Sequence, residues 1–173
     1  WGSNVAGQLG DGTTTDRLTP VLVHGLAGVQ VVRAGGDTSL ALTTDGADTG
    51  VAWTWGRNAK RQLGDGTTRD SAVPIRVPGL SGLAVATLGA TWATVLDREG
   101  RAWTWGDNYY GQLGNGTTVS EGVPVGLATG EPLQTLDGGF WHMLATDGGG
   151  RVWGWGQHGD GKLGPSTTVC PNQ

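Results

Sequence analysis

The chain has 173 residues, a size compatible with a single domain. Its 11 basic and 15 acidic residues give a formal net charge of −4, which argues against the basic surface that sequence-independent nucleic-acid binding requires. A single cysteine, Cys170, excludes an internal disulfide and leaves both its role and the redox compartment open. No apolar run reaches the roughly 18 residues of a membrane span. Trp1 lies inside a motif, so we expect a fragment or processed chain without its targeting segment.

A Trp-Gly pair followed by Leu-Gly occurs four times along the chain, and the successive tryptophans are 54, 50 and 50 residues apart. Such a period is typical of repeat architectures built from stacked units. It divides one domain into units 1–54, 55–104 and 105–154 and a partial unit 155–173. The shared residues that we interpret as structural are Trp1, Trp55, Trp105, Trp155, Leu9, Leu63, Leu113, Leu163, Gly10, Gly64 and Gly114.

Each unit begins with a loop dense in turn formers, in which the leucine is the main apolar residue and is expected to pin the loop. A segment with a central proline follows at 19–23, 73–77 and 123–125. Since proline cannot donate to a sheet ladder, this segment is predicted to be the outer edge strand of its sheet.

An apolar strand comes next, at 29–34, 83–88 and 133–136, and it ends at a corner of small residues. Two further strands, 93–96 and 101–105 in the second unit, flank the turn Glu99-Gly100. The period of two places Trp103 and Trp105 on one face of their strand. The sequence therefore predicts an all-β fold with about four short antiparallel strands per unit.

The motif Trp-Gly-x-Asn-x-x-x-Gln-Leu-Gly-Asp-Gly-Thr, followed by proline and by Gly-Gly-x-x-Ser-Leu-Ala-Leu-Thr-x-Asp-Gly, resembles the repeat of the regulator of chromosome condensation family along the whole chain. The resemblance implies a β-propeller of four-stranded antiparallel blades, with about three and a half of the family's usual seven blades present. It also brings an expectation of guanine-nucleotide exchange on a small GTPase. Two departures weaken that expectation: one unit of three, at His142, keeps the family's histidine, and no long insertion resembles the exchange factor's wedge.

The sequence offers no catalytic or metal-binding constellation. His24, His142 and His158 fall at different offsets in their units, and no pair has metal-ligand spacing. The Asp-Gly segments at 11–12 and 65–66 fit turns better than calcium loops. We therefore predict no enzyme activity, no metal, no cofactor and no small-molecule substrate.

In repeat proteins, positions that differ between units at one offset line a common surface. One such offset, beside the small-residue corner, carries Trp92, Phe140 and Trp141, which lie either on the rim or buried between blades. A second, in the loop after Trp-Gly, carries the paired aromatics Tyr109 and Tyr110. The same loop of the second unit carries basic residues, which we interpret as solvated, the alternative being a phosphate contact. The predicted partner-binding residues are Tyr109, Tyr110, Trp92, Phe140, Trp141, Arg57 and Lys60.

These observations favour a non-catalytic scaffold that binds a protein partner through its rim loops. The first alternative is the exchange factor. The second is a secreted inhibitor of a bacterial enzyme such as a β-lactamase, since a bacterial β-lactamase-inhibiting protein also resembles a propeller of this type. Two lysines against nine arginines, with abundant Gly and Ala, indicate a GC-rich bacterial gene. The expected location is the bacterial cytoplasm or the exterior, with no membrane and no nucleic-acid partner.

Overall fold

The computed structural model describes residues 1–45 and 48–163, and Gly164 and Cys170 lie outside that part of the chain. Within it, no helix has the length and hydropathy needed to cross a lipid bilayer. The regular secondary structure of the described part consists of β-strands and one turn of 3-10 helix at Gly159–Gly161. The strands are β1 Val29–Gly35, β2 Thr38–Asp45, β3 Asp48–Gly56, β4 Ser71–Arg76, β5 Leu83–Leu88, β6 Trp92–Asp97, β7 Ala102–Gly106, β8 Glu121–Gly126, β9 Leu133–Gly138, β10 His142–Asp147 and β11 Val152–Gly156.

The strands form three antiparallel sheets, in the orders β1-β2-β3-β4, β5-β6-β7-β8 and β9-β10-β11. The prediction of proline-bearing edge strands is confirmed at β4, with Pro74, and at β8, with Pro124. Each edge strand pairs with the strand that ends in the preceding Trp-Gly pair. A sheet therefore takes three strands from one sequence unit and its fourth from the next.

The strand predicted at 19–23 is wrong: this segment has no strand pairing, and an isolated bridge between Gly2 and Arg17 is the one ladder contact nearby. Its counterparts β4 and β8 each pair with the strand that ends in a Trp-Gly pair, and residues 19–23 have no such partner among the described residues. Leu18 and Leu22 are consequently exposed, and Leu9 is half-buried where Leu63 and Leu113 are buried.

Apolar side chains between consecutive sheets form two cores. β1, β5 and β9 are the strands that run next to one another from sheet to sheet, and Arg33 Nε donates to the Ala86 carbonyl between the first two of them at 2.9 Å. The core between the first and second sheets includes Leu40, Leu88 and Trp105. The core between the second and third sheets includes Trp92, Leu113, Met143, Ala145 and Trp155.

The shared tryptophan joins each sheet to the loop of the preceding unit. Trp105 is fully buried, and its indole Nε1 donates to the Gln62 carbonyl at 2.9 Å. Gly64 lies against this ring with a φ of +70°, and a Cβ there would come within 2.7 Å of the indole nitrogen. The Leu-Gly half of the motif thus leaves room for the tryptophan of the next unit. Trp103 packs against the same core, which confirms the predicted shared face.

The β10-β11 turn is held by a buried carboxylate at the end of the sheet opposite the corner. Trp153 Nε1 and Arg151 Nε donate to Asp147 Oδ2 at 2.8 and 2.7 Å. These contacts, with the tryptophan bond the largest cause, lower the pKa of Asp147 from 3.8 to about 2. The guanidinium of Arg151 also lies 5.4 Å from the centre of the Trp153 ring.

This carboxylate predicts an acid-sensitive contribution to stability. Because the pKa of Asp147 is lowered in the folded state, its contribution is complete above the ordinary value of 3.8 and is lost as pH falls through about 2. Asp147→Asn should therefore lower the urea midpoint at about pH 6, and the difference from the parent should shrink at about pH 2.5. Asp137→Asn, at an exposed acid on the same sheet, is the control. An equal deficit for Asp147→Asn at both pH values would contradict this account.

Candidate protein-binding surface

The loops after the Trp-Gly pairs are held by a buried asparagine at a fixed offset. Asn108 is fully buried, and its Oδ1 accepts from the Leu113 backbone at 2.9 Å. Its Nδ2 donates to the carbonyls of Thr117 and Val119 at 2.9 and 3.1 Å. Asn4 makes the corresponding contacts in its loop, with the carbonyls of Thr13 and Thr15. Asn58 Oδ1 likewise accepts from the Leu63 backbone, whereas its Nδ2 donates to the side-chain oxygens of Asp65 and Thr67. The motif contained this asparagine, but its polarity made it look like an ordinary turn residue.

The same loops and the small-residue corners lie at one end of the sheets. The backbone N–H of Arg57 donates to the Asp37 carbonyl at 2.8 Å, and that of Asp107 donates to the Thr91 carbonyl at 2.9 Å. The third unit repeats the contact between Gln157 and Trp141. Both offsets at which the units differ therefore share one surface, the loop rim, which consists of residues 2–16, 56–70, 106–120, 35–38, 89–92 and 138–141.

Four aromatic side chains of the loop rim form one continuous group, the aromatic cluster: Tyr109, Tyr110, Phe140 and Trp141. The Tyr109 and Tyr110 rings meet edge to face, with centroids 4.9 Å apart. Tyr110 lies 5.5 Å from Trp141, and Trp141 lies 4.7 Å from Phe140. Tyr109 is 72% exposed and Phe140 is 62% exposed. The fold thus joins two aromatic pairs that are thirty residues apart in sequence.

The position that Tyr109 occupies in its loop is exposed in the first two loops as well. Its counterparts Val5 and Ala59 are exposed as well, although Val5 and Ala59 are smaller. The backbone N–H of Tyr110 donates to Gln112 Oε1 at 2.8 Å, so the loop beneath the rings is fixed. The first three loops have the same buried asparagine, while the side chain that each presents at the Tyr109 offset differs.

The prediction that Trp92 binds a partner is wrong. Trp92 is fully buried in the core between the second and third sheets, where its indole Nε1 donates to the Phe140 carbonyl at 3.2 Å. Gly138 makes room for the ring, since a Cβ there would lie 3.0 Å from Trp92 Cη2. This tryptophan supports the aromatic cluster from below and does not reach the surface.

The two predicted basic residues, Arg57 and Lys60, are exposed on the loop rim. Arg57 Nε lies 3.3 Å from a carboxylate oxygen of Asp37. Within residues 1–45 and 48–163 no group of three His, Cys, Asp or Glu side chains is arranged to hold a metal ion. The Asp11 carboxylate accepts from the Thr13 hydroxyl and from Arg17, and the Thr13 bond is the largest cause that lowers the pKa of Asp11 to about 2.

Stacked antiparallel sheets of three and four strands with one shared loop rim define a β-propeller repeat protein. The family description "Regulator of chromosome condensation (RCC1) repeat" matches residues 1–42, 49–91 and 99–145, more than half of the chain. The chain belongs to this family.

Similarity to individual proteins agrees with the family. The ultraviolet-B receptor UVR8 of Arabidopsis thaliana is 34% identical over 92 residues, which are 52% of this chain and 20% of the receptor. The human E3 ubiquitin-protein ligase HERC2 is 31% identical over 102 residues, 58% of this chain and 2% of the ligase. Among solved structures, human WBSCR16 superposes with a TM-score of 0.78 at 30% identity, covering 95% of this chain and 43% of that one.

Yeast RCC1 (Prp20), in a complex with Kap60, also superposes with a TM-score of 0.78, at 20% identity and over 99% of this chain. At that identity the likeness shows the fold alone. The chain spans about a fifth or less of the curated relatives named above and less than half of these two propeller chains.

Proposed function

We propose that this protein is a non-catalytic β-propeller module that binds a protein partner through the aromatic cluster. The observation that carries the proposal is the exposure of Tyr109 and Tyr110 on a loop whose backbone is fixed from inside. Rigid exposed aromatics are the side chains most enriched at binding hot spots, because they bury a large area at a small entropic cost. Yeast Prp20p, which shares the fold, binds Gsp1p and histones, so protein binding is an activity that this architecture supports.

Site-specific photo-crosslinking tests whether the partner contacts the position of Tyr109. A photo-crosslinking amino acid at Tyr109 should form a covalent adduct with the partner in an extract of the source organism. The same amino acid at Val5 is the matched control, because Val5 occupies the same offset in the first loop and is also exposed. Adducts of equal yield at the two positions, or none at Tyr109, would overturn the proposed surface.

Substitution of the exposed aromatics should separate binding from stability. Tyr109→Ala is expected to weaken binding of the crosslinked partner by about 30-fold, which is ~2 kcal/mol. The free energy of unfolding should change by less than about 0.5 kcal/mol, since the ring is exposed. Titration calorimetry and urea unfolding give the two quantities, with Val5→Ala as control. Tyr109→Ala with full affinity would count against the proposal.

Guanine-nucleotide exchange on a small GTPase is a second candidate, favoured by membership of the RCC1-repeat family and by superposition on yeast RCC1. Release of labelled GDP from a panel of small GTPases tests it, and the absence of acceleration for every member would remove it. Inhibition of a β-lactamase by a secreted form stays a prediction, as does bacterial origin.

A further inference from the structure

The loop of the second unit differs from its sister loops in charge. Arg57, Lys60, Arg61 and Arg69 are all exposed, whereas the equivalent positions of the first loop are uncharged. Arg57 is paired with Asp37. Among the described residues, the side chains of Lys60, Arg61 and Arg69 have no ion pair within 4.0 Å. We call these three the basic patch.

Arg61 occupies a backbone position at which the other units have glycine. Its φ is +65°, and the equivalent Gly7, Gly111 and Gly161 have φ values of +80°, +71° and +69°. A side chain with a Cβ is disfavoured in this left-handed region, so an arginine here opposes the local backbone preference. Residues held against such a preference concentrate at binding and catalytic sites.

A second substitution, distant in sequence, makes room for this arginine. In the first unit Gly7 faces Ala72, and a Cβ on Gly7 would lie 2.7 Å from the Cβ of Ala72. In the next unit Arg61 faces Gly122, which occupies the offset of Ala72. A Cβ on Gly122 would come 3.0 Å from Arg61 Nη1. Both positions of this contact therefore differ between the two units, and in the second contact glycine leaves space for the Arg61 side chain.

Arg61 of the basic patch contacts the end of the loop that carries Tyr109 and Tyr110. Gly122 lies two residues after Ser120, whose hydroxyl accepts from the Asn108 backbone at 3.2 Å. Asn108 directly precedes Tyr109 and Tyr110. The side chain of Arg61 therefore rests on the strand start that follows the aromatic loop, so the second and third loops share this support on the loop rim.

We propose that the basic patch and the aromatic cluster together bind an acidic segment of a partner protein that also carries an aromatic or aliphatic anchor. The proposal rests on the function proposed above and adds the chemistry of the partner. Three cations without carboxylates are complementary to side-chain carboxylates, for which arginine forms strong charge-assisted hydrogen bonds. The rings of the aromatic cluster supply an apolar surface for the anchor.

Nucleic acid fits this surface less well than an acidic peptide. The rings of Tyr109 and Tyr110 are at 89° to each other and those of Phe140 and Trp141 at 84°, so they pack edge to face and do not form a parallel stacking platform.

Fluorescence anisotropy with three labelled probes tests the inference on the purified protein. The probes are a peptide that mixes glutamate with tryptophan and leucine, the same peptide with glutamine in place of glutamate, and an oligothymidine. The first probe should bind at least about tenfold more tightly than either of the others, and its binding should weaken when NaCl rises from about 50 to about 300 mM. Arg61→Gly should weaken binding of the acidic probe about tenfold. Arg98→Ala, at an exposed arginine beyond the loop rim, should leave that binding unchanged.

Gly122→Ala adds an internal check on the position of the guanidinium. Gly122→Ala should weaken binding of the acidic probe to the parent protein. It should not weaken binding further in a protein that already carries Arg61→Gly. If the acidic and glutamine probes bind equally and Tyr109→Ala weakens binding of both, the proposal of an acidic partner is wrong. In that case the proposal that the aromatic cluster binds a protein is still supported. Equal or tighter binding of oligothymidine, or no binding of any probe, would also overturn the inference.

Discussion

Trp105→Ala is expected to lower the free energy of unfolding by about 4 kcal/mol. The indole is fully buried between the first and second sheets, where its ring packs against Gly64. Its removal would leave a large cavity and would also orphan the Gln62 carbonyl that the indole nitrogen bonds at 2.9 Å. Since repeats are stabilised by contacts with their neighbours, one substitution at this interface weakens the whole stack.

Urea unfolding followed by tryptophan fluorescence and circular dichroism measures this loss. Trp1→Ala is the matched control, because Trp1 has the same place in the motif but is 73% exposed, and it should cost less than about 0.5 kcal/mol. Equal losses for Trp105→Ala and Trp1→Ala would mean that the motif tryptophan does not stabilise the stack through burial.

Asn108→Ala is expected to lower the free energy of unfolding by about 3 kcal/mol, a large effect for a single polar side chain. The asparagine joins the two ends of its loop through the Leu113 backbone and the carbonyls of Thr117 and Val119, all from a fully buried position. Alanine supplies neither the acceptor nor the donors, so these backbone groups lose their partners.

The loss at Asn108 should appear both in urea unfolding and as faster hydrogen exchange of the Leu113 amide. Thr118→Ala in the same loop is the control, because Thr118 is exposed and its side chain makes no hydrogen bond among the described residues. Unchanged protection of the Leu113 amide from hydrogen exchange in Asn108→Ala would contradict the claim that Asn108 holds its loop together.

Most of the fold could be predicted because its determinants recur. The tryptophan spacing indicated the repeat, and Pro74 and Pro124 indicated edge strands that the structure confirms. The strand prediction at 19–23 failed because this segment resembles β4 and β8 in sequence but pairs with no strand among the described residues. Pairing is a property of two segments, so no single segment reveals it.

The candidate surface was predicted in part. Tyr109 and Tyr110 replace smaller residues at an exposed offset, which is a signal within the chain itself. Trp92 and Trp141 share an offset, yet the third sheet covers Trp92 while no described sheet follows Trp141. The pairing of Arg61 with Gly122 was also out of reach, because the two are 61 residues apart and meet only in the folded sheets.

The central claim is that shared buried residues hold the body of the protein while residues that differ between units bind the partner. A direct test measures unfolding free energy and partner affinity in parallel for Trp105→Ala, Asn108→Ala, Tyr109→Ala and Tyr110→Ala. The account predicts that the first two lose stability and that the two tyrosine variants lose affinity while remaining as stable as the parent. Tyrosine variants that bind the crosslinked partner with parental affinity would contradict it.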